Sequence, residues 1–156
     1  MTAKPVKPAG ISETEAIYFR LFNEIGIIAQ LSASKFARVL PNGLTPAQFS
    51  VLNHCVRLGD GWTPARLAAA FQITRGTMTS TLQKLEAKGF IRIDPDMEDA
   101  RSKRVFLTDA GRDARERSLA ALGPDLARMP EILSTDEVGV LLPLLEQLRA
   151  WLDANR

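Results

Sequence analysis

Short hydroxyl side chains, an amide and two cations occupy one side of a helix predicted to begin after Thr74. Met78, Leu82 and Leu85 fall within a narrow arc of that helix and must face inward. The opposite arc and its margins hold Arg75, Gly76, Thr77, Thr79, Ser80, Gln83 and Lys84. These side chains suit hydrogen bonding to phosphates and base edges, with Arg favouring guanine and Gln favouring adenine. A solvated face of a small amphipathic helix is the alternative interpretation.

Gly76 is a poor choice for helix stability, because glycine costs about 1 kcal/mol relative to alanine in a helix. Its position on the polar face makes more sense where a Cβ atom would collide with something. The single glycine therefore favours close approach of the helix backbone to a neighbour.

Apolar periodicity, caps and turn residues predict the elements that position this helix. Helices are predicted at 12–40, 45–58, 63–70, 74–88, 108–129 and 135–155, and strands at 90–94 and 103–107. Ser12 with Glu15 forms a capping box, and Thr45-Pro46 and Thr63-Pro64 give two further helix starts. The pair Gly123-Pro124 leaves open whether the fifth helix is kinked or split.

Two short helices and a tight turn, followed by a two-stranded ribbon, predict a winged helix-turn-helix. The fold class is mainly α with a small β component (α+β), and helices at both ends serve dimerisation. The predicted division is a disordered leader at 1–11, a DNA-binding domain at 45–108, and a helical dimerisation region at 12–44 and 109–156. The major groove of B-DNA is about 12 Å wide and admits one helix such as the one that begins after Thr74. The predicted partner is therefore double-stranded DNA.

Charge is localised rather than abundant. The net charge is only +2, yet residues 62–92 hold five Lys/Arg against one acid, and residues 109–156 hold six against nine. The positive charge of residues 62–92 suits binding to the phosphate backbone of a nucleic acid.

The chain lacks the signatures of an enzyme, a cofactor loop or a metal site, so no catalytic role, cofactor or metal is predicted. No membrane segment or signal is apparent and there is one cysteine, which predicts a cytoplasmic protein.

Residues 67–74, Met78-Thr79 and 85–91 together resemble the helix-turn-helix of MarR-type regulators. The run 99–108 followed by Ala110-Gly111 is similar to that family's D-x-R…LT-x-x-G wing signature. The resemblance follows the element order of the whole chain and is specific over 63–111. It implies a dimeric transcriptional regulator, with repression as the commonest mode, on a pseudo-palindromic operator.

The resemblance also implies that a wing arginine, here Arg101, enters the minor groove, where narrow A·T-rich stretches attract cations. Asp99 is expected to hold the Arg101 guanidinium in an ion pair. Lys103 and Arg104 are expected to contact phosphate, or else to pair with the acidic wing residues Asp94, Asp96 and Glu98. The predicted DNA contacts are Thr63, Thr74, Arg75, Gly76, Thr77, Thr79, Ser80, Gln83, Lys84, Asp99, Arg101, Lys103 and Arg104.

The terminal helices carry more apolar residues than a winged-helix core needs, including Leu141, Leu145 and Leu148. Intertwining of two chains would cover them, and an intramolecular bundle is the alternative. Many relatives release DNA when a small, often aromatic molecule binds between the dimer helices and the winged helix. By position, the residues that could border such a crevice are Tyr18, Phe22, Phe49, His54, Arg57 and Trp62, although the aromatic ones also suit a core.

Two alternative functions remain open from the sequence. Cys55 could sense oxidants as a thiolate, but it lies beside Leu52 and Val56, where a small buried hydrophobe is expected. A winged helix can also serve as a protein-interaction module, since a fold does not guarantee DNA binding. The hydroxyl-rich face after Thr74 favours DNA, because an interaction module would expose apolar anchors there.

Overall fold

A computed structural model of the protein describes residues 10–99 and 101–155. The order of its helices and strands is the predicted one. The helices are α1 Glu13–Val39, α2 Pro46–Leu58, α3 Pro64–Ala70, α4 Arg75–Ala87, α5 Asp109–Leu126 and α6 Thr135–Ala154, and the strands are β1 Ile91–Pro95 and β2 Lys103–Leu107. Most of the predicted leader, residues 1–9, lies outside the described residues.

Hydroxyl side chains start all six helices, because each accepts a hydrogen bond from a backbone N–H of the first turn. The predicted box of Ser12 and Glu15 is present, and Thr45 forms a second box with Gln48. The other caps are Thr63, Thr74, Thr108 and Ser134. Helix α5 continues through Gly123 and Pro124 to Leu126, so the chain is not split at that pair.

The core lies in the middle of the chain, between α2, α3, α4 and the hairpin. Leu52, Leu67 and Leu85 are completely inaccessible to solvent, and Val105 of β2 closes the same cluster. By contrast, α1 and α6 contain no buried residue in the single chain. Ala114 of α5 belongs to the same buried cluster, so the core is formed by the middle of the chain together with the first half of α5.

Beside the two-stranded hairpin, Trp62 forms a short β-bridge that was not predicted from the sequence. β1 and β2 pair antiparallel with Ile93 opposite Val105. Trp62, before α3, forms a bridge with Val105 on the free side of β2, where the Val105 N–H donates to the Trp62 carbonyl at 2.9 Å. This bridge ties the wing to the start of the helix-turn-helix.

Candidate nucleic-acid interface

The polar face of α4 is arranged as the sequence predicts. Met78, Leu82 and Leu85 are buried against the core. The residues predicted to face outward are all exposed: Thr74, Arg75, Gly76, Thr77, Thr79, Ser80, Gln83 and Lys84. Thr63, at the start of α3, is half-buried and caps that helix, with its Oγ1 accepting the Arg66 N–H at 3.2 Å.

Two threonine hydroxyl protons of α4, those of exposed Thr79 and half-buried Thr81, are already committed inside the helix. The Thr79 hydroxyl donates to the Arg75 carbonyl at 2.8 Å, and Thr81 donates to the Thr77 carbonyl at 3.0 Å. A threonine hydroxyl has one proton, so the Thr79 oxygen can only accept a further hydrogen bond in this arrangement. It is therefore suited to an amino group of adenine or cytosine in the major groove.

A side chain at Gly76 would have free space in the single chain. A Cβ built there would meet nothing closer than the Thr74 Oγ1 at 3.9 Å. The collision that would explain the glycine is therefore absent within the described chain. If a close neighbour excludes a side chain at Gly76, it must come from another molecule.

Two of the wing arginines pair with wing acids. The Arg104 Nε donates to the Asp96 Oδ2 at 2.7 Å, and its Nη1 donates to the Gly61 carbonyl at 3.1 Å. Arg92 pairs with Asp94 and stacks over Phe106, with 4.6 Å between its guanidinium carbon and the ring centre. Of the two roles the sequence left open for Arg104, the structure shows the pairing with an acid.

Asp96 is central to the wing tip. Its carboxylate accepts the Glu98 N–H at 3.1 Å, and this backbone hydrogen bond, followed by the hydrogen bond and charge of Arg104, lowers the Asp96 pKa against the opposing effect of desolvation. The ionised carboxylate thus holds the turn together while it neutralises Arg104.

The expected ion pair between Asp99 and the Arg101 guanidinium is wrong. The Asp99 Oδ1 accepts the backbone N–H of Arg101 at 2.9 Å, and the Asp99 carbonyl accepts the Ser102 N–H at 2.8 Å. A short acidic side chain that bonds the backbone two residues on forms a tight turn, which is why Asp99 shapes the loop instead. The Arg101 side chain is exposed.

Pairing of Arg92 and Arg104 leaves Arg101 and Lys103 as the wing cations without a carboxylate partner among the described residues. Lys103 borders a groove of about 370 Å³ between α4 and the wing, together with Thr79 and Gln83. The one acid that borders the same groove is Glu86 of α4, whose Oε1 accepts the Ile93 N–H at 3.2 Å, and no described acid of the hairpin borders it.

Asp60, which lies between Gly59 and Gly61, anchors the wing. Its Oδ1 accepts the Leu107 N–H at 3.1 Å, and its Oδ2 accepts from the Arg112 guanidinium at 2.7 Å. One carboxylate therefore joins the end of β2 to α5. An aspartate between two glycines gives no signal for partners 47 and 52 residues away.

Comparison with known proteins now gives the family. A MarR family model matches residues 42–102. The multiple antibiotic resistance protein MarR of Escherichia coli is 32% identical over 137 residues, which make up 82% of this chain and 94% of that protein. The chain belongs to the MarR family.

Two solved structures agree with this fold. BldR from Sulfolobus solfataricus superposes with a TM-score of 0.77 at 25% identity, covering 90% of this chain and 99% of BldR. A mutant of Escherichia coli MarR complexed with operator DNA superposes with a TM-score of 0.61 at 31% identity, covering 82% of this chain and 97% of MarR. The predicted winged-helix fold class is confirmed.

The six residues expected to border an effector crevice lie in different surroundings in this MarR-family chain. Tyr18 and Phe22 are exposed on α1, whereas Phe49 is buried and packs edge-on against Phe36 with 4.6 Å between ring centres. His54 and Trp62 do contact each other, also with 4.6 Å between ring centres. Arg57 is exposed at the end of α2.

His54 is enclosed by rings and lacks a hydrogen-bond partner at Nε2. Burial, with a smaller effect from the charge of Arg57, lowers its pKa. The imidazole is therefore neutral at neutral pH and packs as an aromatic side chain against Trp62 and Phe71.

Cys55 has the properties of a core side chain in this MarR-family fold. It is 1% exposed, and burial, together with the charge of Asp60, raises its pKa to about 11. A thiol needs access and thiolate character to react with oxidants, and Cys55 lacks both. The structure gives no support to the redox alternative.

No group of three His, Cys, Asp or Glu residues is arranged for a metal ion within 10–99 and 101–155. Within the same residues, no helix is both long and apolar enough to cross a membrane.

Proposed function

We propose that this protein is a homodimeric transcriptional repressor that binds specific double-stranded DNA and is released by a small, possibly aromatic, ligand. The observation that carries the proposal is the exposed hydroxyl and amide face of α4 beside two wing cations, Arg101 and Lys103, that lack carboxylate partners within residues 10–99 and 101–155. Membership of the MarR family and the structure of a relative complexed with operator DNA support the same conclusion.

In the proposed complex, α4 lies in the major groove. Arg75 and Gln83 are long enough to reach base edges, and Thr79 offers an acceptor to an amino group. Gly76 lets the backbone approach the groove, since its Cβ position is empty in the free chain. Thr63, Thr74, Thr77, Ser80 and Lys84 supply the surrounding polar contacts.

The wing is proposed to add a second contact. Arg101 enters the minor groove and Lys103 contacts phosphate, while Asp99 shapes the loop that carries Arg101. Arg104 makes its main interactions inside the wing, so its contribution to binding is proposed to be indirect.

Dimerisation is proposed for the regions 12–44 and 109–156, with 45–108 as the DNA-binding domain. Large apolar side chains of α1 and α6 are well exposed in the single chain, among them Ile17 at 65%, Leu31 at 66% and Val140 at 69%. A monomer that exposed this much apolar surface would aggregate, whereas a symmetric dimer buries it. Two copies would then present two α4 helices to successive major grooves.

The exposed face of α4 also argues against the alternative of a protein-interaction module. Large apolar anchors dominate the energetics of protein interfaces, and none is provided by Gly76, Thr79, Ser80 or Gln83.

Release by a ligand is proposed from family likeness. The proposed effector residues remain Tyr18, Phe22, Phe49, His54, Arg57 and Trp62.

The test is selection of duplexes from a random pool, followed by fluorescence anisotropy with the selected sequence across a salt series. The proposal predicts nanomolar binding, at least about a thousandfold tighter than to scrambled DNA, that weakens linearly with salt on logarithmic axes. Failure to enrich any sequence would reject specific DNA recognition.

A further inference from the structure

The C-terminal end of α4 is tied to a distant turn by one side chain. The Lys88 Nζ donates to the Asn42 carbonyl at 2.9 Å and to the Gly43 carbonyl at 3.2 Å. These partners lie 46 and 45 residues earlier in the chain. They belong to the short 3-10 turn Pro41–Gly43, which links α1 to α2.

The turn has the backbone that such a contact requires. Asn42 and Gly43 both adopt left-handed conformations, with φ of 59° and 60°. Because both residues have the same left-handed backbone conformation, their carbonyl groups point in similar directions. The two carbonyl oxygens therefore both accept hydrogen bonds from the Lys88 ammonium group. A Cβ built on Gly43 would stand 3.4 Å from the Lys88 Nζ, which shows how closely the side chain lies against the turn.

Lys88 also sits where a cation is favoured on its own helix. It is the C-cap of α4, and the carbonyl end of a helix carries a partial negative charge. Gly89 then reverses the chain with a φ of 71°. The Lys88 backbone therefore ends α4, while its ammonium group bonds the carbonyls of the turn.

We propose that Lys88 is a positioning residue that fixes the orientation of α4 relative to α1. Because Leu82 is buried near the middle of α4, a displacement of the Lys88 end tilts the helix about that point, and a tilt of roughly 5° moves the Arg75 end by about 1 Å. The contact of Lys88 with the turn Pro41–Gly43 is called the clamp. If α1 forms the dimer interface, as the proposed function requires, the clamp sets the separation of the two α4 helices in the dimer. It also couples that separation to the dimer interface.

The first test compares Lys88→Met, which keeps the length of the side chain, with Lys88→Arg, which keeps the donors. Lys84→Met is the matched control, since Lys84 is an exposed lysine of the same helix. Each variant is titrated with duplexes that carry the selected half-sites at the optimal spacing, at spacings one base pair shorter or longer, and with a single half-site.

Lys88→Met is expected to bind the optimally spaced duplex on the order of tenfold more weakly, with a flattened dependence on spacing and unchanged single-half-site affinity. Lys88→Arg is expected to restore the wild-type profile, and Lys84→Met to weaken all duplexes by one common factor. If Lys88→Met behaves like Lys84→Met, or like wild type, the positioning role is overturned.

A second test is independent of DNA. Spin labels at Gln30→Cys on α1 and Ser80→Cys on α4, in a Cys55→Ser background diluted with unlabelled chain, report the distance between the two helices. The proposal predicts a narrow distance distribution for wild type and Lys88→Arg, and a broad one for Lys88→Met. Equal widths would overturn the clamp, whereas failure to select any duplex would reject the proposed function alone.

Discussion

Two helical glycines, Gly111 of α5 and Gly76 of α4, are expected to respond in opposite ways to substitution by alanine. Gly111, in the first turn of α5, packs against the backbone of Phe90, and a Cβ at Gly111 would overlap the Phe90 carbonyl oxygen. That carbonyl also accepts the Thr108 N–H at 3.1 Å. Gly76, in the first turn of α4, has open space at its Cβ position.

The magnitude for Gly111→Ala follows from three contributions. Forcing an extra carbon into a packed site costs about 1–3 kcal/mol, and displacing the Phe90 carbonyl loses a hydrogen bond of about 1 kcal/mol. Helix propensity returns up to about 1 kcal/mol. The free energy of unfolding is therefore expected to fall by about 1–3 kcal/mol.

Gly76→Ala is the matched control, because it gains the same propensity without the overlap. Its free energy of unfolding is expected to rise by up to about 1 kcal/mol, while its affinity for the selected duplex falls. Urea unfolding at one fixed protein concentration measures both variants, which matters for a dimer. A Gly111→Ala protein as stable as wild type would refute the reasoning, as would a Gly76→Ala protein with both stability and affinity unchanged.

Four further outcomes are expected. Arg101→Ala should weaken binding by about 1–3 kcal/mol, chiefly at A·T-rich flanks, and a uniform loss on all sequences would make Arg101 only a phosphate contact. The lowered pKa of His54 implies stability that is complete above pH 6.5 and is lost as pH falls towards its folded pKa. Urea unfolding between pH 5 and 7.5 should show that the free energy of unfolding decreases more steeply with falling pH in wild type than in His54→Leu. The same pH dependence in both proteins would show that His54 does not cause it. The Cys55 thiol, with a pKa of about 11, should react with a thiol reagent at pH 8 only when the protein unfolds in urea; rapid labelling of folded protein would contradict its burial. Light scattering at micromolar concentration should give about twice the 17.1 kDa chain mass, and Leu141→Glu should lower it, whereas a wild-type monomer would reject the dimer.

Local patterns were enough to predict most of the fold. Hydroxyl caps such as Ser12, Thr45 and Thr74 act within three residues of themselves, so they can be recognised in the sequence. The inward arc of α4 is likewise a local periodicity, and its buried and exposed sides were both predicted. Element order then followed, and with it the winged-helix class.

The interactions that shape the candidate site were harder to predict because they join distant or competing partners. The Asp60 and Lys88 contacts link residues more than forty positions apart. In the wing, several acids and cations compete over a few residues, and only geometry shows that Asp96 takes Arg104 while Asp99 takes a backbone N–H. Family likeness pointed to Arg101, but the role it implied for Asp99 was wrong.

In the proposed complex, two α4 helices read successive major grooves of one operator. Hydroxyl-radical footprinting of the selected duplex tests this arrangement most directly, because it maps the protected backbone on both strands. We expect two symmetric protected segments whose centres lie about one helical turn, or a multiple of it, apart, with flanking minor-groove protection that disappears in Arg101→Ala. A single protected segment, or uniform protection along the duplex, would contradict this arrangement.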